Sequence, residues 1–166
     1  MFPRLPQEKV HPARLIFLGE FVVFAKGRKT IGWCARLCHG ERFAKHIGPK
    51  TTRIAGAELG GVALAASTSM ASGLPFVIIR NAKKDYGTKK MYEGKIEKGD
   101  CVLLVEDVAT TGGQVLEAAK TIAEAGATVE KIIAVIDRQE GARENIEGAG
   151  FTFGALMTKT DLGIDE

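Results

Sequence analysis

One stretch of the chain, from Cys101 to Ala125, limits the possible folds more than any other. Five residues, Cys101 to Val105, predict a buried strand because they form an unbroken apolar run. The strand leads into two acids, Glu106-Asp107, and then into the small and hydroxyl residues Thr110 to Gly113. The remainder of the stretch has apolar residues at helical spacing. It is therefore predicted to be a strand, a tight loop and a helix in direct succession.

The loop of this unit has the chemistry of a phosphate site. Thr110 to Gly113 can turn successive backbone N–H groups toward one point at a helix N-terminus, where an anion is favoured. The acids Glu106 and Asp107 would repel a phosphate unless they held something between them. Ribose hydroxyls and Mg²⁺ both bind carboxylate oxygens, which predicts a ribose-5-phosphate site. The chain has no G-x-x-x-x-G-K-[ST] or G-x-G-x-x-G motif. An acidic turn without a ligand is the remaining alternative.

The rest of the chain alternates strand and helix patterns. Strands are predicted over 52–57, 76–80, 131–136 and 151–157, and helices over 62–72 and 142–148. Short turns between such elements predict an α/β protein with a doubly wound, mainly parallel sheet. The length of 166 residues and the absence of a linker predict one domain, 1–166.

Composition excludes several classes of protein. Three cysteines, one of them in the apolar strand, argue against a disulfide framework and fit a reducing cytoplasm. No apolar run approaches the roughly 20 residues of a membrane helix, so a soluble cytoplasmic protein is expected. The net charge of +3 is too small to predict nucleic-acid binding. Cys34, Cys38, His39 and His46 do not have the paired spacing of a zinc site, and buried helical cysteines are favoured.

Two segments have less definite patterns. Pro3, Pro6 and Pro12 argue against a long N-terminal helix, and residues 15–30 suggest a hairpin that turns at 26–28. Residues 81–98 carry six lysines and almost no core-forming residues. This second segment is either a solvated basic loop or a loop that closes over a substrate with several phosphate charges.

Three motifs carry a resemblance to a known family. Glu106-Asp107-Val108-Ala109-Thr110-Thr111-Gly112 resembles the 5-phosphoribosyl-1-pyrophosphate (PRPP) motif of type I phosphoribosyltransferases. Arg80-x-x-x-Lys84-x-x-Gly87 resembles the mobile loop of the orotate branch of that family, and Asp137-Arg138-x-x-Gly141 its orotate-binding segment. The resemblance covers about residues 54–160 and implies a core at about 50–160 with a small N-terminal hood at about 1–35.

The resemblance also implies roles for individual residues. It implies Glu106, Asp107 and Lys84 as catalytic residues and Leu59-Gly60 as the pyrophosphate loop. Thr110, Arg138 and Trp33 would contact orotate, although Trp33 is equally interpreted as a core aromatic. The PRPP-binding set would be Arg80, Lys83, Lys84, Tyr86, Glu106, Asp107, Val108, Ala109, Thr110, Thr111, Gly112, Gly113 and Gln114.

The activity implied by the resemblance is transfer of the 5-phosphoribosyl group of PRPP to orotate, which releases pyrophosphate. Mg²⁺ would be bound mainly through the substrate, and a homodimer would share the mobile loop across its interface. Asn81 departs from the family, which usually has lysine there, so one pyrophosphate contact is weakened or Lys83 replaces it. Two alternatives stay open: transfer to another base, and a PRPP-binding regulator without turnover.

Overall fold

The structure is a computed structural model that describes residues 15–18, 21–24, 40–81 and 91–163. Its strands are β1 (Leu15–Leu18), β2 (Phe21–Phe24), β3 (Arg53–Ala57), β4 (Phe76–Ile79), β5 (Tyr92–Glu93), β6 (Cys101–Ala109), β7 (Thr128–Asp137) and β8 (Phe153–Thr158). Its helices are α1 (Gly60–Ser72), α2 (Gly113–Glu124) and α3 (Ala142–Gly148), with helical residues at 40–44 and a 3-10 turn at Thr160–Leu162. None of the helices in the described ranges has the length and apolar character to cross a membrane.

Six strands form one sheet in the order β5-β4-β3-β6-β7-β8. Every neighbouring pair in it is parallel except β4 and β5. Helix α1 connects β3 to β4, α2 connects β6 to β7, and α3 connects β7 to β8. The predicted doubly wound, mainly parallel α/β fold is therefore confirmed.

The core lies on both faces of this sheet. Val102 and Leu104 of β6 pack on the face that α2 and α3 cover, while Leu103 and Val105 pack with α1 on the other face. All four side chains are fully buried. A strand covered on both faces must be apolar at every position, which is why its sequence is a continuous run rather than an alternation.

The expected hairpin forms within residues 15–30. Strands β1 and β2 are antiparallel, and Leu18 pairs with Phe21, so the chain reverses between these two residues. Cys34, Cys38, His39 and the 26–28 segment lie outside the described residues.

The basic segment at 81–98 was wrongly predicted to be loop throughout, because it contains β5. The Arg80 N–H donates to the Met91 carbonyl at 2.8 Å, and Ile79 pairs with Tyr92. Backbone hydrogen bonds create this two-residue edge strand, and no apolar alternation marks it in the sequence. Strand β6 is also longer than predicted and includes both acids, Glu106 and Asp107.

A buried ion pair lies at the amino ends of the central strands. Arg53 Nε and Asp100 Oδ2 are 2.8 Å apart, and their side chains are 11% and 10% exposed. Burial raises the pKa of Asp100, but hydrogen bonds from the Glu97 N–H, Arg53 and Thr52, together with the Arg53 charge, outweigh it and hold that pKa below its usual value. The pair ties β3 to the start of β6 at the edge of the sheet opposite the α1 and α2 N-termini.

We expect Asp100→Ala to lower the free energy of unfolding by about 3 kcal/mol, because it leaves the Arg53 charge buried without its partner. Chemical denaturation at neutral pH measures this. Glu147→Ala is the matched control, since it breaks an ion pair with Arg143 that lies on the surface. The N–O distance in that pair is 2.9 Å, against 2.8 Å between Arg53 and Asp100. Glu147→Ala should cost less than about 0.5 kcal/mol. Equal losses in the two variants would contradict this interpretation.

The same variant has an expected pH dependence. A carboxylate whose pKa is lower in the folded state stabilises the fold above its unfolded pKa and loses that contribution as the pH falls. The stability difference between the wild type and Asp100→Ala should therefore be complete above about pH 4 and shrink below it. A difference that stays constant down to acidic pH would show that the charge of Asp100 is not the cause.

Candidate functional site

The carboxyl ends of β3 and β6 form the point at which the chain changes direction across the sheet. Strand β4 lies on one side of β3, and the chain then crosses to place β6 on its other side. The loops after β3 and β6 therefore lead to helices on opposite faces. Such a switch point leaves a crevice beyond the strand ends, where ligands of open α/β sheets bind.

The loop after β6 has the geometry of an anion site. Gly112 caps α2 with φ 80° and ψ 0°, and a Cβ atom there would lie 2.9 Å from Ile146 Cγ1. Asn145 Nδ2 donates to the Thr111 carbonyl at 2.9 Å, which fixes the loop from α3. The first N–H groups of α2 remain available to a phosphate. A pocket of about 230 Å³ is lined by Glu106, Val108, Ala109, Thr110, Thr111, Gly112, Gly113, Gln114 and Val115.

The two acids lie on opposite faces of the sheet, because both belong to β6 and side chains alternate along a strand. Glu106 is buried, lines the phosphate pocket and accepts the Asp107 N–H at 2.9 Å. Asp107 lies against the start of α1, where a Cβ on Gly60 would be 2.0 Å from Asp107 Oδ2. The acids therefore flank the strand end from both sides.

The segment from Glu58 to Gly60 joins β3 to α1 and contains a cis peptide bond between Glu58 and Leu59. Leu59 is 81% exposed and no side chain caps α1. Polar contacts hold this segment instead: the Glu58 carbonyl accepts hydrogen bonds from Asn81 Nδ2 at 2.7 Å and from Gln114 Nε2 at 2.8 Å. The structure thus brings the predicted pyrophosphate loop beside Asp107 and the first turn of α2.

Arg80 follows β4 at the same edge, with a side chain that is 16% exposed. Its Nε is 3.8 Å from Glu58 Oε1 and its Nη1 is 3.9 Å from Glu93 Oε1. Both distances are longer than a hydrogen bond, and Nη1 is a buried donor that has no hydrogen-bond partner in the described part of the chain. The other predicted cations, Lys83 and Lys84, lie outside the described residues together with Tyr86.

Arg138 follows β7, next to the phosphate loop. Its N–H donates to the Ala109 carbonyl at 2.9 Å, which places the residue beside the end of β6. Its guanidinium pairs with Glu140 Oε1 at 2.6 Å, and both side chains are largely exposed. The segment is held by Gln139, which has φ 58° and accepts hydrogen bonds from Thr160. Trp33, the third predicted base contact, lies outside the described residues.

The oxygen donors nearest a bound Mg²⁺ would be Glu106 and Asp107. Carboxylate oxygens suit this hard cation, and a substrate phosphate would supply further oxygens. In the described ranges, no group of three or more His, Cys, Asp or Glu side chains could hold a metal ion.

Comparison with known proteins identifies the family. Residues 34–155 match the phosphoribosyl transferase domain. This chain belongs to the phosphoribosyltransferase family. It is 49% identical over 119 residues to the orotate phosphoribosyltransferase of Pyrococcus horikoshii, a match that covers 72% of this chain and 64% of that protein. It is 46% identical to that of Methanocella arvoryzae, over 74% of this chain and 70% of the other.

A solved structure shares the fold of this phosphoribosyltransferase. The Mycobacterium tuberculosis orotate phosphoribosyltransferase in complex with PRPP superposes with a TM-score of 0.71 at 27% identity, over 80% of this chain and 78% of that one. The resemblance inferred from the sequence motifs is confirmed by these relatives. The chain nevertheless spans less than two thirds of the length of the Pyrococcus horikoshii protein.

Several residues that hold the loops of the candidate site were not predicted from the sequence. Asn145 was not predicted, because its contact with Thr111 joins residues 34 positions apart. Asn81 was noticed only as a departure from the family, and its bond to Glu58 was not expected. Gln139 was not singled out either. No local pattern marks such contacts.

We expect Gly112→Ala to destabilise the protein by about 2 kcal/mol or more, since alanine disfavours φ 80° and its Cβ would crowd Ile146. Thermal unfolding measures the loss. Gly113→Ala is the matched control at the neighbouring position, where the nearest atom to a Cβ would be Thr111 Oγ1 at 3.8 Å. It should unfold within about 0.5 kcal/mol of the wild type. The reverse order of stability would contradict the loop geometry.

Proposed function

We propose that this chain is an orotate phosphoribosyltransferase, which transfers the 5-phosphoribosyl group of PRPP to orotate in pyrimidine nucleotide (UMP) synthesis. The products are orotidine 5′-monophosphate and pyrophosphate. The principal support is the position of Arg138, a guanidinium-bearing residue anchored to Ala109 beside the phosphate loop. The names of the relatives in Pyrococcus horikoshii and Methanocella arvoryzae agree with this assignment.

In the proposed reaction, a ring nitrogen of orotate forms a bond to the anomeric carbon of PRPP as the bond to pyrophosphate breaks. The backbone of residues 110–113 holds the 5′-phosphate, and Glu106 and Asp107 accept the ribose hydroxyls from the two sides of β6. Positive charge that develops on the sugar faces these carboxylates. Mg²⁺ held with the substrate would neutralise charge on the departing pyrophosphate. Preorganised electrostatics of this kind is usually the largest contribution to such a barrier.

Arg138 would bind the orotate carboxylate, because a guanidinium matches a carboxylate with two parallel hydrogen bonds. Its present partner, Glu140, is a surface carboxylate, and exposed ion pairs contribute little free energy. The Arg138 guanidinium would therefore leave Glu140 and pair with a substrate carboxylate at little cost in free energy. Thr110 and Trp33 would complete the base site, with Trp33 against the ring.

The basic segment would close over the pyrophosphate. Arg80 stands at its start, where its buried Nη1 still lacks a hydrogen-bond partner, and Lys83, Lys84 and Tyr86 follow. A closed loop excludes water, which would otherwise hydrolyse PRPP. We further propose a cytoplasmic homodimer of single-domain chains in which each loop serves the neighbouring site.

The function is tested by the loss of orotate ultraviolet absorbance on addition of PRPP and Mg²⁺, with uracil and purine bases in parallel. Turnover with orotate alone is the expected result. Turnover with another base and not with orotate would identify that base as the substrate. Binding of PRPP without turnover of any base would instead identify a PRPP-binding regulator.

We expect Arg138→Ala to raise the KM for orotate by about 10- to 100-fold, the loss of a charged hydrogen-bonded contact, with a much smaller change in the KM for PRPP. Steady-state kinetics with each substrate varied gives both constants. Glu140→Gln is the paired variant, since it frees the guanidinium and should not raise the KM for orotate. An unchanged KM for orotate in Arg138→Ala would remove this residue from the base site.

Lys84→Ala should cut turnover by about 100-fold or more, because it removes a cation that stabilises the leaving group. Mixing this variant with Asp107→Ala should restore part of the activity if loops are shared, since a mixed dimer can contain one intact site. Absence of recovery in dimers shown to exchange subunits would argue against shared sites. Full turnover by Lys84→Ala alone would refute its role.

A further inference from the structure

We propose that Asn81 and Gln114 form an amide clamp that positions the pyrophosphate loop, Leu59-Gly60, by holding the carbonyl of the preceding residue, Glu58. Both are positioning residues: they act on the leaving group through the loop backbone and not by contact with it. The inference rests on the proposed function for its catalytic consequence, whereas the clamp itself rests on the geometry of the described residues.

Three separate parts of the chain meet at this carbonyl. Asn81 follows β4 and donates from Nδ2 at 2.7 Å, and Gln114 in the first turn of α2 donates from Nε2 at 2.8 Å. A carbonyl oxygen has two lone pairs, so both are occupied. Gln114 Nε2 also lies 3.2 Å from Asn81 Oδ1, which links the two amides to each other. The clamp therefore fixes the loop after β3 to the ends of two neighbouring elements.

Outside the clamp, backbone hydrogen bonds hold the two ends of the loop: the Glu58 N–H donates to the Ile79 carbonyl at 2.9 Å, and the Val62 N–H donates to the Leu59 carbonyl at 3.3 Å. The Leu59 side chain is 81% exposed, so apolar burial does not hold it, and α1 begins without a side-chain cap. Gly60 touches Asp107, a contact that limits the loop on one side only. A peptide group is planar, so fixing the Glu58 oxygen also fixes the orientation of the Leu59 N–H in the same plane. The direction of the Leu59 N–H, next to the start of α1, thus depends on the clamp.

The consequence for catalysis concerns the leaving group. Backbone donors stabilise developing charge most when they are already oriented before the reaction. Loss of one clamp residue would leave the loop free to reorient, and pyrophosphate would bind more weakly. Asn81 contributes an uncharged side chain at a position where the family usually has lysine, so its effect comes from orientation rather than from charge.

The first test measures the loop without any need for turnover. Asn81→Ala and Gln114→Ala should each raise amide hydrogen exchange by about 3- to 10-fold at Glu58 and Val62, whose N–H groups donate to the Ile79 and Leu59 carbonyls, with global stability unchanged. Asn81→Asp should behave like Asn81→Ala, because it keeps the size of the side chain but cannot donate to a carbonyl. Exchange read residue by residue by nuclear magnetic resonance reports this. Unchanged exchange in both alanine variants would overturn the clamp.

The second test measures pyrophosphate itself. The Kd for pyrophosphate with Mg²⁺, from titration calorimetry, should rise about 3- to 10-fold in each alanine variant. The Kd of the double variant should rise by less than the product of the two single increases, because both residues hold the same acceptor. Ser69→Ala is the contrasting variant: it removes a side-chain bond to a backbone carbonyl, that of Leu74, at the other end of α1, and should not change this Kd. An equal rise in the Kd in Ser69→Ala would overturn the proposal, and so would a double variant whose Kd rises by the full product of the two single increases.

The two proposals can fail separately. Altered exchange and pyrophosphate affinity in a protein that turns over no base would reject the proposed function and keep the clamp. Normal orotate turnover with unchanged exchange, pyrophosphate affinity and kcat in Asn81→Ala and Gln114→Ala would keep the function and reject the clamp.

Discussion

The close approach of the Gly60 backbone to the Asp107 carboxylate is the contact on which the site depends. A Cβ atom at position 60 would lie 2.0 Å from Asp107 Oδ2, so any larger residue there would displace the Asp107 carboxylate. This contact is possible because the sheet places β3 and β6 side by side as parallel neighbours. The pyrophosphate loop and the carboxylates then share one crevice, while α1 and α2 leave it on opposite faces.

Charge in the described part of the site is arranged around weakly paired cations. Arg80 is 3.8 Å from Glu58 and 3.9 Å from Glu93, and Arg138 pairs with Glu140 at the surface. Such pairs are easily exchanged, because exposed or long ion pairs contribute little free energy. Arg80 Nη1 is a buried donor without a hydrogen-bond partner among the described residues, which costs free energy until an acceptor reaches it. Under the proposed function, both arginines would receive anionic groups of the ligand.

The buried ion pair and the candidate site lie at opposite ends of the strands. The amino ends of the strands carry the buried Arg53–Asp100 pair, whose hydrogen bonds are satisfied within the protein. The carboxyl ends carry short polar contacts on exposed backbone, such as those to the Glu58 carbonyl. Because the length of the strands separates the ion pair from these polar contacts, a substitution at one end of the strands need not disturb the other end.

The local order of residues was sufficient to predict the core elements and the strand, loop and helix from Cys101 to Ala125. An apolar run such as Cys101 to Val105 can only be a buried segment, and a Thr-Thr-Gly-Gly turn before a helix presents free N–H groups wherever it occurs. The tertiary structure alone decided that Glu106 and Asp107 lie on opposite faces, since that followed from the continuation of β6 beyond its apolar run. It also decided the bond between Gln114 and Glu58, 56 residues apart. Contacts of this kind depend on which strands become neighbours, and no local pattern in the sequence encodes that choice.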